Sequence, residues 1–259
     1  MSYETLTGLV AREVNTGEAD RYLTLLTVES GKVECYAKGI RNQKSKLSAS
    51  AGILTYGEYK LFQNRERRIL TSGQTLENFS GIRTDVVKYA YAVHFLEIAR
   101  DVIQEAQVFP EALRTLLNTL YVLAYREFEP ELAARIFEVR MLAAAGFAPV
   151  LERCSVCGAE LSARAYFALY GDGTVCGRES CRGRASPVRT VSAGTLRALR
   201  HIVECEPGEL FSFAVSDPVK AELAGIVPAY LRHHFGKEYK KLGEAERYLA
   251  FEREMRPRV

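Results

Sequence analysis

Four cysteines stand in an order that matters for chemistry: Cys154-Ser-Val-Cys157, then 18 residues, then Cys176-Gly-Arg-Glu-Ser-Cys181. Two thiolates two residues apart can hold one tetrahedral ion from a single tight turn, and Gly158 gives that turn its freedom. A second pair at this distance completes a four-cysteine site of the zinc-ribbon kind, with one Zn2+ expected. Four thiolates leave no open coordination position, so the ion would be structural. Free thiols, or disulfides under oxidation, are the alternatives. Cys35 and Cys205 fall outside the cluster and read as small, partly buried hydrophobes.

The second chemical feature is charge. "KGIRNQKSK", residues 38–46, holds Lys38, Arg41, Lys44 and Lys46 and no anion. Over residues 38–68 eight Lys/Arg face two acids, and over residues 151–200 eight Arg face four acids, although the whole chain is only +3. Two basic islands on a balanced chain point to an anion-binding surface. Lys38, Arg41, Lys44 and Lys46, with Arg65, Arg67 and Arg68 at a nearby hairpin tip, are the candidate contacts to a nucleic-acid backbone. Tyr36, Tyr56, Tyr59 and Phe62 are candidate stacking residues, about half of which strand alternation should turn inward. Arg178, Arg182, Arg184 and Arg189 around the cysteines either add nucleic-acid contacts or solvate a small domain.

Elements that could position these groups follow from periodicity. Residues 3–80 read as five short strands, with hairpins at Ser30-Gly31 and at Asn64 to Glu66, which suits a small barrel. An OB-fold is expected and an SH3-like barrel is the rival. The cationic segment is then the long connection between strands three and four. From residue 84 the period becomes helical, with Val87, Tyr91, Phe95, Ile98 and Val102 as the apolar stripe and Thr84 as N-cap. Further helices are expected at 110–128, 130–145, 192–205, 217–235 and 243–254. The predicted class is α+β with several domains: an OB barrel at 1–80, a helical domain at 81–150 and 186–259, and a zinc ribbon inserted at 151–185.

Enzymatic signatures are missing from the sequence. It has no Walker loop, zincin helix or nucleophile elbow. His94 reads as a core residue, and His233 and His234 point away from each other on a helix. The opening "MSYETLTGLVARE" does not predict a secretory leader, and no stretch approaches the roughly 18 apolar residues of a membrane span. Asn78 to Ser80 matches a glycosylation acceptor by chance. The function classes left open are a DNA-binding protein, a protein-interaction adaptor with incidental nucleic-acid binding, and an RNA-binding zinc-ribbon protein.

Two longer stretches narrow these. "GLVAREVNTGEADRYLTLLTVESGKVECYAKGIRNQKSKL" resembles the opening of the RecO family of bacterial recombination mediators. The Gly17-Glu18-x-Asp20 turn, the Thr27-x-x-x-Gly31-Lys32 hairpin and Ala37-Lys38-Gly39 leading to Lys44-Ser45 carry the likeness. "RIFEVRMLAAAGFAPVLERCSVCG" resembles that family's third helix running into its zinc module. The likeness is weakest after about residue 235. It implies an OB-fold, a helical domain and a zinc ribbon in a cytoplasmic, nucleoid-associated protein without enzymatic activity. It also implies binding of single- and double-stranded DNA, annealing, and partnership with RecR, SSB and, indirectly, RecA. Arg135-Ile-Phe137-Glu138 resembles the family's Arg-x-Phe-Glu pattern. Arg135 and Arg140, flanking a stripe of Leu132, Ile136, Val139 and Ala143, are then candidates for the acidic SSB tail. An intrahelical Glu131–Arg135 pair is the plainer reading of Arg135.

Overall fold

A computed structural model describes residues 2–64, 67–161, 165–240 and 242–243. Its internal contacts divide the chain into two units, residues 1–125 and 126–259.

In the first unit, β1 (Ser2–Thr16), β2 (Asp20–Thr27) and β3 (Gly31–Ala37) form an antiparallel meander. The one-turn helix α1 (Leu47–Ser50) leads into a second hairpin, β4 (Tyr56–Gln63) and β5 (Arg68–Glu77). The barrel is closed in the order β1-β2-β3-β5-β4. β1 can serve two neighbours because it is long: residues 2–9 pair with β4 and residues 8–16 with β2. A register shift between Val10 and Arg12 bends it near the crossing. One parallel pair, Tyr36 with Ile69, joins β3 to β5. This strand order is that of an OB-fold and decides against the SH3-like alternative. Leu6, Val10, Leu23, Leu25, Leu61 and Leu70 fill the interior. Tyr59 is wholly buried among them, and its hydroxyl donates to Ser50 O at 3.1 Å and Thr55 O at 3.0 Å. It holds the α1 turn against the barrel, so it is not a stacking residue.

Three helices complete this unit: α2 (Ser80–Arg83), α3 (Val86–Val102) and α4 (Pro110–Tyr125). Tyr91, Phe95, Ile98 and Val102 are buried, as their spacing requires. The N-cap of α3 is Asp85 and not Thr84. The Asp85 carboxylate accepts from the N–H groups of Val87 at 2.9 Å and Lys88 at 3.1 Å, two donors that a helix start otherwise leaves unpaired.

The second unit contains α5 (Pro130–Ala144), then a small sheet of β6 (Ala165–Ala168), β7 (Thr174–Val175) and β8 (Val188–Val191), with α6 (Glu179–Arg184) between the last two strands. It ends with α7 (Ala193–Glu204) and α8 (Asp217–Phe235), both packed on α5. The ribbon sheet takes in β8, which lies beyond residue 185 and pairs along β6. The helix expected at 243–254 falls, from residue 244 on, outside the described residues. No helix among the described residues is long and apolar enough to cross a membrane.

The Gly31 hairpin ties the barrel to α3. Thr27 Oγ1 donates to Gly31 O at 2.8 Å and accepts from Ser30 N–H at 3.1 Å. Lys32 N–H donates to Gln104 O at 3.0 Å, and its Nζ donates to Arg100 O at 3.1 Å. A cation thus sits on the last carbonyls of α3, where the helix dipole favours it. Gly31 has φ +64°, and a Cβ there would meet Gln107 O at 2.2 Å. Both the left-handed backbone and the close approach demand glycine. Gly31→Ala should therefore destabilise the protein by about 2 kcal/mol or more in a denaturant titration. An unchanged midpoint would mean that this hairpin does not fasten the barrel.

Candidate metal centre and nucleic-acid interface

The four clustered cysteines converge. Their Sγ atoms all lie within 4.8 Å of one another, and Cys157 and Cys176 are 3.9 Å apart. A tetrahedral ion with metal–sulfur bonds of about 2.3 Å needs sulfurs about 3.8 Å apart, so the quartet fits one ion. Local structure explains the convergence. Cys154 begins a turn closed by Gly158 N–H to Cys154 O at 2.9 Å, and Gly158 has φ +71°. Cys176 directly follows β7, and Cys181 lies in the single turn of α6. The fully buried Thr174 hydroxyl bridges Val150 O at 2.8 Å and Arg153 O at 3.0 Å, which fixes β7 against the first turn.

The thiols are not equivalent. Burial pushes the Cys154 thiol up, but the N–H groups of Cys176, Cys157 and Val156 outweigh it and bring the group down to about 6. Cys181 is pushed up to about 12 by burial and by hydrogen bonds with the other three thiols. The Cys154 thiol is thus drawn toward its thiolate while Cys181 is held protonated, and a divalent cation would favour the thiolate at both. Arg178 Nη1 lies 3.8 Å from Cys157 Sγ, the one exposed sulfur of the four, and the Arg182 guanidinium lies over the Tyr166 ring at 5.2 Å. Arg184 and Arg189 are exposed.

The cationic segment is a chain of turns, not a bare loop. Ile40 is 2 % exposed and is part of the barrel core, which pins the middle of the run. Lys38, Arg41, Lys44 and Lys46 are all exposed on either side of it. The start of the segment is held by Asp20, at the beginning of β2. Its carboxylate accepts from Gly39 N–H at 2.6 Å and from the Tyr36 hydroxyl. Arg41 N–H donates to Ala19 O at 2.9 Å, so the last residue of the β1–β2 turn takes part as well. The hydrogen bond from Tyr36, then that from Gly39, holds the Asp20 carboxyl below the usual carboxylate range, helped by the charges of Lys38 and Arg67.

Around this anchor the barrel end is aromatic and basic. Tyr22 and Tyr36 lie with ring centroids 5.3 Å apart, and the Arg67 guanidinium covers Tyr36 at 4.5 Å. Tyr22, Tyr36, Gln63, Arg67 and Arg68 line one concave surface. Arg68 is shared with Glu4 in an ion pair of 2.8 Å. Arg65 lies outside the described residues. In OB-folds the β2–β3 face and the β1–β2 and β4–β5 loops bind oligonucleotides, and these groups occupy that face.

Comparison with known proteins covers most of the chain. Residues 1–79 match the family described as Recombination protein O N terminal, and residues 83–243 match Recombination protein O C terminal. The chain belongs to the RecO family. A DNA repair protein RecO of Acetivibrio thermocellus is 36% identical over 242 residues, 93% of this chain and 96% of the relative. One from Dehalococcoides mccartyi strain CBDB1 is 32% identical over 235 residues, 90% of this chain and 91% of the relative. A RecO of Moorella thermoacetica is 29% identical, covering 90% of this chain and 86% of the relative. Its family gives the chain a role in recombination and DNA repair.

The RecO-like sequence features now have physical reasons. Asp20 and the Lys38-Gly39 pair are 18–19 positions apart in sequence and meet as anchor and loop. The Arg-x-Phe-Glu pattern of α5 has a different outcome from the exposed rim expected of it. Arg135 is 4 % exposed and pairs with Glu138 at 3.1 Å, not with Glu131. Leu132, Ile136 and Val139 are buried as well. Arg140 donates to Ile202 O at 3.1 Å and Val203 O at 2.5 Å, so it caps the end of α7. Neither arginine offers a free guanidinium at a pocket mouth. Sequence reading did not single out Asp20 as the loop anchor or Tyr22 beside it.

Asp20 generates a prediction. Because its folded carboxyl titrates below its unfolded value of about 4, this anchor is complete above pH 4 and is lost as pH falls through the folded value. Asp20→Asn leaves one acceptor oxygen for two donors. The Gly39 amide should then exchange faster at pH 7 and the melting temperature should fall. The gap between variant and parent should close as the parent is acidified through its own folded carboxyl value. A gap that persists there would exclude the carboxylate as the cause.

Proposed function

We propose that this protein is a non-enzymatic, cytoplasmic, nucleoid-associated recombination mediator. It binds single- and double-stranded DNA, anneals complementary strands, and with RecR helps load RecA onto SSB-coated DNA. The observation that carries this reading is the set of four exposed cations held on one anchored segment at the ligand-binding end of an OB barrel. Phosphate neutralisation supplies most of the affinity in such contacts, and neutralising two strands at once lowers the repulsion that opposes annealing. RecR, the SSB tail and RecA enter as partners through the family. For the SSB tail, the enclosure of Arg135 favours a receptor that does not use that guanidinium, because extracting it would break the Arg135–Glu138 pair.

The ion of the cysteine quartet is read as Zn2+. Four thiolates form a closed tetrahedral site, so the metal would hold the ribbon together and take no part in chemistry. Four thiolates around Zn2+ carry a net double negative charge, and Arg178 beside Cys157 offsets part of it. That role competes with DNA for Arg178, the Tyr166 ring holds Arg182, and Arg184 and Arg189 are left as the freer contacts.

Two measurements test the reading. If each cation neutralises one phosphate, Lys38→Ala, Arg41→Ala, Lys44→Ala and Lys46→Ala combined should flatten the log–log salt slope of DNA binding by roughly 3–4 units. A folded quadruple variant with the parental slope would rule the segment out. Atomic absorption should find one zinc per chain, and a strong chelator should lower the melting temperature. Metal-free protein with four freely titratable thiols in the native state would sink the zinc assignment.

A further inference from the structure

Strand register places an unbroken line of apolar side chains on the outside of the barrel. Tyr22 in β2 is paired with Tyr36 in β3, Tyr36 with Ile69 in β5, Ile69 with Phe62 in β4, and Phe62 with Tyr3 in β1. Their sequence neighbours Leu23, Cys35, Leu61 and Leu70 point inward and are buried, so the five side chains of the line share the solvent face. The line runs around one end of the barrel, next to the β1–β2 turn, the β4–β5 turn and the cationic segment. Four strand spacings of about 4.8 Å make it about 19 Å long.

The rings are not equally free. Tyr36 is covered by Arg67 and bound through its hydroxyl to Asp20. Phe62 is half-buried against Tyr3, their centroids 5.1 Å apart. The open rings are at the ends: Tyr22 is 41 % exposed and Tyr3 is 62 % exposed. Lys60 Nζ stands 5.0 Å from the Tyr3 centroid. The Tyr3 end therefore couples an open tyrosine to a cation, and Tyr22 lines the same concave surface as Arg67 and Arg68. An exposed apolar row on the outer face of a small barrel serves nothing in the core, and its cations select an occupant that is both flat-ringed and anionic.

We infer that Tyr22 and Tyr3 are base-stacking residues that mark the two ends of a single-strand path around the barrel. The inference rests on the DNA-binding reading above and names the strand form that this end of the barrel selects. A duplex hides its base faces, whereas an unpaired strand offers them. Stacking on Tyr22 and Tyr3 would thus favour single strands, while the cations of residues 38–46 serve either form. The length of the line suits a few nucleotides, within the roughly 4–16 that one OB-fold accommodates.

The test measures binding of oligothymidylate and of a duplex across a salt range, for the full chain and for Tyr22→Ala, Tyr3→Ala, Tyr22→Phe and Tyr3→Phe. Stacking predicts that each alanine variant loses about fivefold or more in affinity for oligothymidylate. Duplex affinity and the salt slope should be unchanged, since no cation is removed, and the phenylalanine variants should bind like the parent. Oligonucleotides carrying 5-iodouracil should photocross-link to Tyr22 and Tyr3. Folded alanine variants with parental single-strand affinity would overturn the inference, as would equal losses on duplex. A parent protein that binds neither DNA would overturn the DNA-binding reading itself. A parent that binds both with a steep salt slope, alongside indifferent tyrosine variants, would remove only the stacking path.

Discussion

The Asp20 carboxylate is the interaction on which the cationic surface depends. Lys38, Arg41, Lys44 and Lys46 repel one another, and a free loop would spread them. Asp20 takes the Gly39 N–H and the Tyr36 hydroxyl from two sides, so the end of β3 and the start of the segment share one acceptor. Ile40 then buries the next residue in the barrel. The repulsion is borne by covalent neighbours that are already fixed, and the charges remain outside. The same bond orients Tyr36, which holds Arg67 over its ring. One anion thereby organises cations from two separate turns while lying beside them, and its charge is spread into hydrogen bonds instead of being spent on an ion pair.

Much of the architecture was legible in the sequence because its signals are local. The cysteine quartet is a spacing pattern, and its turns need glycine at 158 and 173, where φ is +71° and +126°. Helices α4 and α5 follow from Pro110 and Pro130 in their first turns, and α7 and α8 from a helical period. The OB barrel is legible as five strands, but its closure is not. The parallel pair of Tyr36 with Ile69 joins segments 33 positions apart, and no local pattern encodes it. Tyr22 was missed for the same reason. Its exposure depends on which face of β2 the barrel closes upon, whereas Tyr59, which looks no different in sequence, went inward and became part of the core.

Arg135 shows a second limit. A guanidinium on a helix is usually a surface group, and α5 reads as amphipathic with an apolar stripe. In the folded chain Ala133, Ala134, Ile136, Phe137 and Met141 are all buried, so the helix is enclosed on more than one face. The arginine is enclosed with it and pairs with Glu138 three residues on. A buried pair of this kind is costly to break and contributes little net stability when whole, and with both partners on α5 it lets the helix be enclosed without stranding an unpaired charge. Period alone does not tell a helix buried on two sides from one buried on one side.

The two basic islands of the sequence therefore do different work. In the barrel, the cations stand on solvent-facing turns and their partners are neutral rings or backbone groups. Among the described residues, Arg68 pairs with Glu4, Asp20 lies near Lys38 and Arg67, and Glu34 lines the same concavity as Arg67 and Arg68. In the ribbon, arginines are drawn toward sulfur and toward Tyr166. Four thiolates around one divalent ion are an anionic cluster in a domain with little apolar core, and nearby guanidinium groups relieve it without competing for the metal, because arginine stays protonated and cannot coordinate. Equal counts of basic residues in sequence are thus unequal as anion-binding charge. The free positive charge of each island is set by what remains after the protein's own anions have been satisfied.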